Sequence, residues 1–129
     1  MTTVDLKTAV YNLINAVAKA IESGHVEKDE AFPYAVYALR NSIEGGTDNF
    51  GSIIYPLEID VMDHDMGKDT TAIENLADTI DTALNRVHYV GSNFYFHCIR
   101  ESRDPNYPTP DEYTLRRNLR YQVKVFTKG

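Results

Sequence analysis

Residues 53–63 read IIYPLEIDVMD, and their alternation decides the fold class. Ile53, Tyr55, Leu57, Ile59 and Val61 are apolar while Glu58 and Asp60 stand between them. A two-residue period of this kind puts one face of a strand in a core and leaves the other in water. Pro56 has no N–H for a ladder, which points to an edge strand or a bulge. Downstream lie Asp60, Asp63, His64, Asp65 and Asp69. A calcium loop needs a regular ligand series closed by a bidentate carboxylate, and this stretch has none. Residues 63–69 therefore read as a turn into a helix, whose positive N-terminal end favours nearby carboxylates, with a partner-facing acidic patch as the alternative.

The flanking segments extend the pattern. From Thr3 to Ile21, apolar residues fall at Leu6, Ala9, Val10, Leu13, Ile14, Val17 and Ile21, the spacing of a helix with one buried stripe, stopped near Gly24. FPYAVYALR (32–40) reads as the first strand, and the glycine-rich NSIEGGTDNFGS (41–52) as a long hairpin loop. Beyond 53–63, Thr71 and Glu74 have capping-box spacing, and Ile73, Leu76, Ala77, Ile80, Leu84 and Val87 form a second helical stripe. FYFHCIR (94–100), apolar on both faces, predicts a central or covered strand. DPNYPTPDEY (104–113), with three prolines, predicts a loop. LRYQVKVF (119–126) alternates again, with Leu119, Tyr121, Val123 and Val125 against Arg120, Gln122 and Lys124. The expectation is one α+β domain over residues 1–129, of order α-β-β-α-β-β. It would have a mostly antiparallel four-stranded sheet with two helices packed on one face. The aromatic and aliphatic groups of the first and third strands that point away from the helices then lack a cover, which association would provide.

Composition narrows the function classes. A chain of 129 residues supplies one ordinary core. A formal charge of −6 argues against generic nucleic-acid binding, which needs a basic patch. Nine tyrosines and no tryptophan suit half-exposed, interface-like surfaces. The single Cys98 cannot form an internal disulfide, and MTTVDLKTAV shows neither a secretory leader nor a membrane span, so an intracellular protein is expected.

Chemistry-bearing groups are sparse. His97 and Cys98 are neighbours on a strand and point to opposite faces, so they make no nucleophile–base pair. His25 and His88 lie near helix ends, where a histidine is solvated or answers the helix dipole. The glycines at 45, 46 and 51 match no phosphate-loop spacing. No catalytic residue, cofactor or metal site is expected. The charges are more informative. Glu58 and Asp60 oppose Arg120 and Lys124 on wet strand faces, able to pair across one sheet or between subunits. Arg100, Arg103, Arg116 and Arg117 flank the proline-rich loop as a basic cluster on an acidic chain. With Asp63 and Asp65, these are the candidate interface residues.

The order of pieces, with FPYAVY, LEIDVMD and RYQVKVF the best stretches, resembles the tail terminator or tail completion proteins of long-tailed bacteriophages over nearly the whole chain. The resemblance implies a structural protein and no enzyme. Subunits would form a ring, commonly a hexamer, seated on the last ring of the tail tube. The ring would stop tube polymerisation and present a surface to the head connector. The partners it implies are further copies of the chain, the tube protein and a connector or stopper protein, with DNA only passing through the channel and no membrane. The place it implies is the virion's head–tail junction, after assembly in the host cytoplasm. Loops 42–52 and 101–115 would contact neighbouring rings or line the channel; the proline-rich loop is not expected from the family. Two alternatives stand beside it: another head-to-tail connector (neck, stopper or minor capsid protein), and a small metal-dependent enzyme using Asp63, His64 and Asp65.

Overall fold

The structure, a computed structural model, describes residues 3–27, 30–40, 53–64, 70–103, 107–108 and 114–127, without the side chains of residues 3, 103, 107 and 108. Its elements in chain order are α1 (Thr3–Asn15), β1 (Ala20–Glu22), β2 (Tyr34–Leu39), β3 (Ile53–His64), α2 (Thr71–Leu84), β4 (Val87–Val90), β5 (Phe94–Arg103), β6 (Tyr107–Pro108) and β7 (Thr114–Thr127). One sheet runs β1-β2-β3-β7-β5-β4, with β6 beside β7.

This corrects the expected four-stranded, mostly antiparallel sheet. The sheet is mixed, with six strands on its main path, and curves as a half-barrel. The three added strands are short. The first arises because α1 ends at Asn15, well before Ile21. Val17 N–H bonds to Ile14 O at 3.0 Å in a tightened last turn, and the Asn15 side chain accepts from Ala20 N–H at 3.3 Å. Residues 20–22 then pair parallel to β2. The i+4 spacing of Val17 and Ile21 imitates a continuing helix, but a helix there would leave the outer backbone groups of β2 without partners. The second addition begins at Val87, read above as the last residue of a helical stripe. Asn85 is extended and Arg86 takes φ 66°, in the left-handed region, which turns the chain out of α2. Arg86 N–H then donates to Cys98 O at 2.7 Å and starts the β4–β5 hairpin. The third, β6, forms within the proline-rich segment, where Tyr107 and Pro108 lie opposite Arg116 and Leu115.

The long strands obey their alternation. β3 pairs with β7 along its whole length, placing Leu57 opposite Tyr121, Ile59 opposite Leu119 and Val61 opposite Arg117. β3 is interior rather than an edge. Pro56 is tolerated because β2 stops at Leu39, opposite Leu57, so the missing N–H points past the end of that strand. Pro56 O still accepts from Arg40 N–H at 2.8 Å.

Leu57, Ile59, Val61, Phe96, Cys98, Leu119, Tyr121, Val123 and Val125 line one sheet face, each 3% exposed or less. They form one cluster with Leu6, Ala9, Val10 and Ile14 of α1 and Ile73, Ala77, Ile80 and Leu84 of α2. Each fully buried Leu or Ile in it stabilises the fold by about 1.5–3 kcal/mol. The N-cap of α2 is Thr70, one residue before the Thr71 of the expected capping box, and Glu74 N–H donates to Thr70 O at 3.0 Å. The Glu74 carboxylate receives a hydrogen bond from Arg117, which ties α2 to β7.

Candidate interface on the open sheet face

Among the described residues no helix lies over the opposite sheet face, and the register assigns its residues. Glu58, Asp60, Arg116, Asn118, Arg120, Gln122, Lys124 and Phe126 project there from β3 and β7, and Tyr95, His97, Ile99 and His88 from β5 and β4. Among the described residues β5 is therefore covered by helices on one side only.

The β3–β7 half is a charge lattice. Glu58 Oε2 lies 3.9 Å from an Arg40 guanidinium nitrogen and 3.7 Å from Arg120 Nε. Asp60 Oδ1 accepts from Asn118 Nδ2 at 2.8 Å and lies 3.8 Å from Arg116 Nε. Of the acidic and basic rows read from the sequence, Glu58 and Arg120 thus meet within one sheet, while Asp60 meets Arg116 and Asn118. Arg40 and Arg120 are more than half exposed, so water screens these pairs and each contributes about 0–1 kcal/mol.

Lys124 follows on the same face of β7. Its neighbours across the strands are Ile54 and His97, and its ammonium sits over the Phe126 ring, 5.9 Å from the centre. Here the face becomes aromatic. Tyr95 and Phe126 stack at 4.9 Å with planes 10° apart, His97 meets Phe126 edge-on at 6.0 Å, and His88 lies 4.4 Å from His97. Val90 and Ile99 are 59% and 54% exposed beside them. Sequence reasoning missed this platform. His88, expected near a helix end, lies in β4, and only strand pairing brings it to His97.

The supposed basic cluster divides between the faces, because adjacent strand residues point opposite ways. Arg116 faces out, while Arg117 and Arg100 face α2. Arg103 lies opposite Leu119 in β5. Asp63 accepts from the His64 backbone N–H at 2.8 Å, the His64 ring packs on Phe32 at 4.3 Å, and Asp65 and Asp69 lie outside the described residues. The loop expectation for 42–52 lies outside them too.

On the helix side, Asp81 of α2 accepts from the Tyr121 hydroxyl at 2.7 Å and from Arg100 at 2.8 Å. Arg100 N–H also donates to the Asn85 side chain at 2.9 Å. Burial, then the hydrogen bond to Asp81, pushes the Tyr121 hydroxyl well above the ordinary tyrosine range. Burial, then the Asp81 charge, pushes the Cys98 thiol up to about 12. Cys98 is therefore a thiol at neutral pH and a poor nucleophile.

A second solvent-open feature lies at the β1 end. A groove of about 370 Å³ runs between α1 and β1–β2, lined by Val4, Lys7, Thr8, Tyr11, Glu22 and Tyr37. Lys7 and Glu22 pair across it at 3.1 Å, and Val4 is 69% exposed. Burial, then Glu22 and Tyr11, raises the Tyr37 hydroxyl above its ordinary value. Among the described residues no group of three or more His, Cys, Asp or Glu is placed to hold a metal ion, and no helix is long and apolar enough to cross a membrane.

No protein-family model matches the chain, and no curated protein does.

Proposed function

We propose that this chain is a structural subunit that associates head-to-tail into a ring and acts as a tail terminator or tail completion protein of a long-tailed phage. One observation carries the ring reading. The two ends of the strand order bear unlike open surfaces, the α1–β1 groove with Val4 and Tyr11 at one and the aromatic platform with Val90 and Ile99 at the other. A closed ring built from one repeated contact needs two different, complementary patches on each subunit. Both patches combine apolar area with a polar rim, as interface cores do.

The tail assignment rests on the resemblance of the segment order and of FPYAVY, LEIDVMD and RYQVKVF. In this reading the ring, a hexamer, caps the tail tube at the head–tail junction of the virion. Its other axial surface meets the connector, and DNA only passes through. The buried, protonated Cys98 is consistent with a protein that works by contact rather than covalent chemistry.

The experiment is assembly of the cognate tube protein with and without this chain, imaged by electron microscopy. Rings on one tube end with arrested growth are expected. Tubes of unchanged length with bare ends overturn the terminator reading, and capture of portal or stopper protein under those conditions would identify a head-side connector instead.

A further inference from the structure

The β4–β5 hairpin closes one end of the sheet, and its register sets His88 directly opposite His97. Both imidazoles project to the open face, with ring centres 4.4 Å apart and planes inclined at 37°. His88 is exposed and His97 half-buried, so the pair is reached from water. Neither ring has a hydrogen-bond or ion-pair partner among the described residues.

We propose that His88 and His97 form a bidentate site for a late first-row divalent cation, of the Zn²⁺, Ni²⁺ and Cu²⁺ class. Imidazole nitrogen is a ligand suited to these ions. Two metal–nitrogen bonds of about 2.1 Å, set about 90° apart as in a square-planar or tetragonal Cu²⁺ or Ni²⁺ site, leave the ring centres about 4.5 Å apart, and a tetrahedral Zn²⁺ angle opens this to about 5.2 Å. The 4.4 Å spacing of the ring centres in the structure is close to the 90° value.

The surroundings hold the pair in place. β5 is paired with β7 on its other side, so the His97 backbone is fixed from two directions. Phe126 stands edge-on to His97 at 6.0 Å, and Tyr95 lies 5.7 Å from His88 and 6.3 Å from His97. These aromatic walls restrict the rings, which lowers the ordering cost of chelation. Lys124 opposes the site. It is the neighbour of His97 on β7, and its ammonium is directed over Phe126. Its charge weakens a nearby cation, so Lys124→Gln tightens binding. The chain supplies two ligands; water or a group from a second molecule supplies the rest.

The test is calorimetric titration of the full chain with Zn²⁺, and separately Cu²⁺, near neutral pH in a non-chelating buffer. One ion per chain is expected, with Cu²⁺ bound more tightly than Zn²⁺ and no uptake of Mg²⁺ at the same concentrations. His88→Ala and His97→Ala each weaken binding by about 100-fold, because either change removes the chelate. His25→Ala and His64→Ala leave it unchanged. Metal-free thermal melts establish that each variant folds, and imidazole nitrogen NMR shifts report coordination directly. One ion per two chains, lost in both variants, also supports the site, with a second copy completing the coordination. Absence of binding, or binding unaltered in His88→Ala and His97→Ala, overturns it.

Discussion

Asp81 and Glu58 each lie beside arginine on the same sheet, yet on opposite faces and with different consequences. Asp81 receives two direct bonds, from Tyr121 at 2.7 Å and Arg100 at 2.8 Å, and its side chain is 15% exposed. Glu58 stands 3.7–3.9 Å from Arg120 and Arg40 with twice that exposure, 32%. Coulomb attraction is strong where water is excluded and weak where it is not. The Asp81 cluster therefore joins a helix to the sheet, while the Glu58 lattice keeps an uncovered face soluble and specific at small energetic gain. The aromatic platform beside that lattice leaves Val90 and Ile99 more than half exposed around half-buried rings, and such apolar area on a surface marks a contact site.

Substitutions break this comparison in order of size. Asp81→Ala leaves the fully buried Tyr121 hydroxyl without its acceptor and Arg100 without its pair. It should lower unfolding free energy in urea by about 2–4 kcal/mol. A double-mutant cycle with Tyr121→Phe should show coupling between the two; strict additivity would mean that the network carries no energy of its own.

Alkaline titration sharpens the same contrast. Cys98 and Tyr121 are raised in the folded state, so their contribution is complete below the unfolded values near 9 and 10 and is lost as pH rises. Each group should add a slope of about 1.4 kcal/mol per pH unit once its unfolded form ionises, until the folded form does so too. For Cys98 that window runs from 9.0 to about 12. Melts between pH 8 and 11 (roughly the range where these groups titrate) should show Cys98→Ala flattening the lower part of the decline.

Glu58→Gln should cost at most about 1 kcal/mol, and the difference from wild type should vanish in high salt. A salt-independent loss would place Glu58 in a desolvated contact. The smallest stability effect belongs to the platform. Val90→Ser and Ile99→Ser should stay within about 0.5 kcal/mol of wild type by chemical denaturation. The same pair should abolish ring formation in the tube-capping assay, and rings formed normally by the double variant would remove the platform from the subunit contact.

The sequence shows how far local patterns carry. Leu57, Ile59 and Val61, and later Leu119, Tyr121, Val123 and Val125, are buried as their alternation requires. Ile73, Ala77, Ile80 and Leu84 are buried as the helical stripe requires. Ala20–Glu22 and Val87–Val90 were hidden because a few residues of strand inside or beside a helical spacing carry no period of their own. The candidate charges were legible as types and not as neighbours. Arg116 and Arg117 are adjacent in the chain, yet one meets Asp60 across the open face and the other meets Glu74 on α2.

What the amino-acid sequence determined alone was which side of β3, of β7 and of α2 is apolar, since periods of 2 and 3.6 residues follow from backbone geometry within one segment; β5, apolar on both sides, was left undecided. Only the tertiary structure decided that β1 runs parallel to β2, that Asp81 meets Tyr121, that Glu58 and Asp60 find their arginines within one sheet, and that His88 faces His97. Each of these depends on strand register or on the seat of a helix. Those are settled by packing between distant segments, which no local spacing encodes.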